Sequence, residues 1–171
     1  MRIQYHQPYG SPENQQDILP ENWQELVAKA DSLPIKFGMV NPQKLFRSGI
    51  IWPHQVRILQ GQYNIAHIIS LIPGDWLSQF YDDTSITIHQ FPFYQRRELT
   101  FQRVRGIVDV INSLKEAAIV HCVKGVTKTG MVSAGYQILN RQRSNLGAIV
   151  ESMSYGILNP SSIREILQYS R

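Results

Sequence analysis

Apolar residues along this chain fall into short continuous runs separated by stretches of helical spacing, and the two patterns alternate. Residues 65–72, IAHIISLI, form an apolar run of strand length ended by Pro73-Gly74, as in a strand buried on both faces. Residues 44–47 begin a shorter strand closed by Ser48-Gly49, residues 86–91 give another, and residues 117–121 a further one. Pro53 opens a helix expected to run to about Gly61. Thr100 is placed to cap a long helix in which Phe101, Val104, Val108 and Ile111 share one face. A helix is expected from Gly130 to about Arg141. Leu146, Ile149, Val150 and Met153 then stripe the next one, and Ser162 with Glu165 boxes the start of the last. Near the beginning, Asn22 and Glu25 form a capping pair for a helix presenting Trp23, Leu26, Val27 and Ala30. Residues 1–20, rich in Gln, Asn and Pro and without periodicity, are expected to form an extended arm, and residues 21–171 a single domain.

Strands alternating with helices predict an α/β fold whose central, largely parallel sheet is flanked by helices. Ligands in such sheets bind beyond the carboxyl ends of the strands. With 171 residues, 43% of them apolar and 18% charged, the chain is long enough to bury one core without metals or disulfides. Its net charge of +4 favours an anionic partner. Lys and Arg are scattered rather than striped along a helix with aromatics between them, so nucleic acid is not the expected partner. A single cysteine cannot form an internal disulfide and fits a reducing compartment. The start MRIQYHQPYGSPENQQ has no apolar core segment, so no secretory signal is expected and the chain is read as cytoplasmic or delivered to a reducing cytosol. No stretch approaches the roughly 20 apolar residues of a membrane span. No metal-ligand spacing joins His54, His67 and His89.

The candidate chemistry lies in residues 118–130, AIVHCVKGVTKTG, where a strand runs through a loop into a helix. Such a loop can turn successive backbone N–H groups inward, and the helix dipole adds positive potential at the same place. Gly125 permits the tight bend, and Gly130 permits close helix packing. Cys122, at the first position of the loop, would lie beneath a bound phosphorus, with its thiolate favoured by the same N–H groups. The nucleotide-binding loop of similar composition needs Gly directly before its Lys, and Thr127 stands there.

These residues resemble the signature of the protein tyrosine and dual-specificity phosphatase superfamily: His-Cys, five residues, Arg-Ser/Thr, usually then Gly. His121, Cys122, Gly125, Thr129 and Gly130 stand where that signature puts them, and Lys128 occupies the Arg position. Upstream, Leu45-Phe46-Arg47-Ser48-Gly49 and residues 65–71 look like the early strands of the small dual-specificity members, so the likeness spans roughly residues 40–170.

The resemblance implies a dual-specificity-phosphatase-like fold and attack of Cys122 on phosphorus to give a thiophosphate intermediate. It further implies that His121 holds the loop and depresses the thiol pKa, and that Thr129 donates to the leaving thiolate. Val123, Lys124, Gly125, Val126, Thr127 and Lys128 would bind the phosphate. No metal or cofactor is implied; the partner would be a phosphorylated substrate, either protein or phosphoinositide. Two positions depart from the pattern. Lys128 keeps the charge of the usual Arg but not the planar fork that grips two equatorial oxygens. The family's general-acid Asp has Gln95 in its place within FPFYQRRE, so Glu98, the nearest carboxylate, is the candidate catalytic acid, with Asp75, Asp82 and Asp83 further off. Arg96 and Arg97 read as a solvated pair or as substrate contacts beside that segment. Two functions follow. The chain is a cysteine-dependent phosphomonoester hydrolase of reduced activity, or a pseudophosphatase that binds phosphorylated ligands without turnover.

Overall fold

Six strands and five helices realise this alternation in the computed structural model, which describes residues 2–5, 33–73, 85–95, 98–157 and 159–169. In chain order they are β1 (Arg2–Tyr5), β2 (Gly38–Asn41), β3 (Leu45–Ser48), α1 (Pro53–Tyr63), β4 (Ile65–Ser70), β5 (Thr87–Gln90), α2 (Phe101–Ser113), β6 (Ala117–His121), α3 (Thr127–Leu139), α4 (Asn145–Ser154) and α5 (Pro160–Ile166). They form a mixed α/β fold with one sheet of order β1-β5-β4-β6-β3-β2. Every neighbouring pair is parallel except β2 and β3.

The sheet is covered on both faces because successive strand residues point to opposite sides. In β6, Ala118 and Val120 enter the cluster that α2, α3, α4 and α5 close, while Ala117 and Ile119 enter the one that α1 closes. Ile68 and Ile69 of β4 divide in the same way, both with no exposure, as expected for a strand buried on both faces. Continuing this period beyond β6 puts Cys122 with Ala118 and Val120, under the helices. Thr100 caps α2 as anticipated, accepting from Arg103 N–H at 3.4 Å, and Val104, Ile107, Val108 and Ile111 are its buried side.

Several elements differ from the sequence expectation. Helix α3 begins at Thr127, three residues before Gly130. Gly130 lies one turn inside, where an added Cβ would come within 2.2 Å of Ile157 Cδ1, so it serves packing rather than helix initiation. Of the expected α4 stripe, Ile149 is buried but the other three residues face outward. Leu146, Val150 and Met153 are 68%, 67% and 42% exposed, and Ala148, Ile149 and Ser152 make the buried side. Small side chains let α4 approach α3, and the rim of that contact is polar, with Glu151 accepting from Gln137 Nε2 at 2.9 Å. Ser162 is buried within α5 rather than capping it. Asn159 caps instead, accepting from Ser161 N–H at 3.0 Å, and Glu165 Oε1 accepts from Phe101 N–H at 3.1 Å. Strand β2 was not foreseen, and the arm's first residues pair as β1 with β5. The helix expected over residues 22–30 lies outside the described residues.

Candidate phosphate-binding site

The parallel register lines up the carboxyl ends of the four central strands. Ser48 pairs with His121, Ser70 with His121, and Ser70 with Gln90. The segments that follow these ends therefore meet in one place. They enclose a cavity of about 370 Å³ lined by Ile72 and Pro73 after β4, Phe93 and Tyr94 after β5, and residues 122–124 and 126–128 after β6.

The orientation of the loop after β6 can be followed from its carbonyls. Val123 O accepts from Ile50 N–H at 3.0 Å, and Gly125 O accepts from Arg47 Nη2 at 2.8 Å, so both point into the protein. Across a planar trans peptide the next N–H points the opposite way. The N–H groups of Lys124 and Val126 are therefore aimed away from the interior. None of the backbone N–H groups of Val123, Lys124, Gly125, Val126, Thr127 and Lys128 has a hydrogen-bond partner among the described residues. Those of Thr127 and Lys128 belong to the first turn of α3, where the helix leaves its donors unused and its dipole is positive. Unpaired donors, a helix N-terminus and two lysines around one cavity suit a bound anion.

Gly125 is what permits this path. Its φ is +65°, and an added Cβ would lie 2.5 Å from Gly49 N and 2.8 Å from Ser48 C, both backbone atoms that cannot move aside.

Cys122 is 6% exposed and forms part of the cavity wall. His121 beside it is fully buried, and neither ring nitrogen has a partner among the described residues. Burial lowers its pKa from 6.5 to about 3, so the ring is neutral at ordinary pH and any influence on Cys122 is positional rather than through charge. Thr129, also fully buried, donates its hydroxyl proton to Ser48 O at 3.3 Å. Lys128 lines the cavity, and its Nζ donates to Phe93 O on the segment after β5. Burial lowers the Lys128 pKa, with Cys122 and Glu98 acting in the opposite direction. Glu98 does not line the cavity. Its Oε2 accepts from Tyr94 N–H at 3.0 Å and from Arg103 Nη1 at 3.3 Å. Arg103 also donates to Pro92 O at 3.0 Å and stacks 4.1 Å from the centroid of the Phe93 ring, so these contacts fix the segment. Gln95 is exposed. Asp75, Asp82, Asp83, Arg96 and Arg97 lie outside the described residues.

Arg47 received no role from the sequence. On β3 it is only 1% exposed, bonds to Gly125 O, and lies 3.8 Å from the centroid of the Tyr155 ring. Burial lowers its pKa to about 10, opposed by Tyr155, Cys122 and Glu151, so it remains a cation beneath the loop. The available signal was an Arg directly after Leu45 and Phe46 in a short strand, where burial requires a partner.

This architecture is a fold shared with solved phosphatases. The core catalytic domain of the PP-IP phosphatase SIW14 from S. cerevisiae matches with a TM-score of 0.71 at 17% identity, over 81% of this chain and 87% of that one. TpbA from P. aeruginosa matches at 0.60 and 20% identity, over 80% and 84%. PTPMT1 matches at 0.65 and 15% identity, over 78% and 93%. No family model matches the sequence, and no curated protein does. No helix among the described residues is long and apolar enough to cross a membrane.

Proposed function

We propose that this protein is a cysteine-dependent phosphomonoester hydrolase. The observation that carries the reading is the set of backbone N–H groups from Val123 to Lys128, without partners among the described residues, beside the cavity that Cys122 lines. Phosphate would be held by those donors and by Lys124 and Lys128, with Cys122 Sγ facing phosphorus. Sγ attacks, the S–P bond forms, and the ester P–O bond breaks. Water then attacks the thiophosphate, releasing phosphate and restoring the thiolate. Because the transferred group spreads its charge over three oxygens, fixed N–H donors stabilise the transition state more than they stabilise the free ester.

The apolar flank of the cavity, with Ile72, Pro73, Phe93 and Val126, suits the uncharged body of a phosphorylated substrate, a protein side chain or a phosphoinositide. Both classes occur among the neighbours: PTPMT1 has been solved with PI(5)P and a TpbA variant with pTyr. Turnover of 4-nitrophenyl phosphate, abolished by Cys122→Ser, is the test. Turnover unaffected by that change would refute the reading.

A second reading is a pseudophosphatase, favoured by the absence of any carboxylate lining the cavity among the described residues. Phosphate binding without turnover would establish it.

A further inference from the structure

A phosphate ester needs a proton for its departing oxygen, and among the described residues no carboxylic acid lines the cavity. Glu98 is engaged by Tyr94 N–H and Arg103, and Gln95 has no proton of suitable acidity. The cations in the lining are Lys124 and Lys128. Lys124 is exposed, whereas Lys128 is partly buried and its Nζ is tied to Phe93 O. That bond draws the ammonium towards the segment after β5, the wall facing the loop rather than the loop itself. An ammonium has three N–H donors, and this contact uses one. Arg47, meanwhile, supplies a permanent positive charge beneath the loop, so Lys128 is not needed there as a structural cation.

We infer that Lys128 is the proton donor of the reaction proposed above, an assignment that rests on that reading. In the first step the Cys122 Sγ–P bond forms as the ester P–O bond breaks, and Nζ passes one proton to the departing oxygen, becoming a neutral amine. In the second step Nζ takes a proton from water as the water oxygen attacks phosphorus and the S–P bond breaks. Ester and water become alcohol and phosphate, and both the thiolate and the ammonium are restored. The lowering of the Lys128 pKa by burial acts in the direction that a donor near neutral pH requires.

The test compares kcat/KM, which reports the first step alone, for phenyl phosphate and for 4-nitrophenyl phosphate in wild type, Lys128→Arg and Lys128→Met. Arg keeps the charge but holds its proton up to a pKa above about 12. Phenol resembles the tyrosine side chain, with a pKa of about 10, and leaves poorly without a proton. The nitrophenol is more acidic and needs one less. Both variants should lose at least about tenfold more rate on phenyl phosphate than on 4-nitrophenyl phosphate, within the range of acid catalysis. In wild type, kcat/KM for phenyl phosphate should fall as pH rises through the Lys128 pKa, and both variants should lack that alkaline limb. Equal losses on the two substrates, with the limb kept, would overturn the assignment while leaving Cys122 as nucleophile. Wild type inert on both would overturn the phosphatase reading itself. A series of substituted phenyl phosphates with wild type alone needs no variant to fold: a shallow dependence of kcat/KM on leaving-group acidity supports a proton donor, and a steep one removes it.

Discussion

Arg47 Nη2 donates to Gly125 O across 2.8 Å, joining β3 to the tightest point of the loop that follows Cys122. The bond turns a carbonyl inward at a charged donor, and with it turns the N–H of Val126 outward. Arg47→Met should leave Gly125 O buried without its charged partner, costing about 2–3 kcal/mol in urea denaturation. Turnover should fall by about 10²-fold, the cost of misplacing reacting groups by roughly 1 Å.

Gly125→Ala and Gly130→Ala separate backbone constraint from side-chain packing. At Gly125 the new Cβ meets Gly49 and Ser48 backbone at a φ of +65°. Phosphate binding followed by amide NMR should be lost, with a destabilisation of at least about 2 kcal/mol. At Gly130 the obstacle is the end of the Ile157 side chain, which can rotate, so the effect should be smaller and binding retained.

His121 gives the protein a defined acid sensitivity. Its pKa is lowered from 6.5 to about 3 by burial, so between these values the unfolded chain binds a proton that the folded chain does not. Its contribution to stability is therefore complete above pH 6.5 and lost as pH falls towards 3. The slope is about 1.4 kcal/mol per pH unit for one proton. Urea midpoints measured from pH 7 to pH 4 should fall less steeply in His121→Asn than in wild type.

The outward stripe of α4 is tested by substitution on its two sides. Leu146→Glu and Val150→Glu should change stability by no more than about 0.5 kcal/mol, as exposed positions do. Ile149→Ala should cost about 2–4 kcal/mol. Thermal or urea unfolding decides, and a large cost at Val150 would put it on the buried side with Ile149.

What the sequence showed clearly was decided by local rules. The double burial of Ile68 and Ile69, the Thr100 cap and the strand-loop-helix around Cys122 all follow from short-range pattern. What it hid depended on partners distant in the chain. The α4 face could not be read from apolar spacing, because Ala148 and Ser152 were chosen for close approach to α3 rather than for hydrophobicity. Arg47 and Gly125 are far apart in sequence, and only the parallel pairing of β3 with β6 brings them together. The engagement of Glu98 by Arg103 is local, five residues along the chain, and depends on how the first turn of α2 lies beside the segment after β5.

The central claim is that Cys122 carries the phosphoryl group, and trapping is its most direct test. Wild-type protein mixed with 4-nitrophenyl phosphate and quenched rapidly in acid should yield a peptide phosphorylated on Cys122 by mass spectrometry, and Cys122→Ser should yield no phosphocysteine and no turnover. Sustained turnover with Cys122 never phosphorylated, or turnover persisting in Cys122→Ser, would contradict the account.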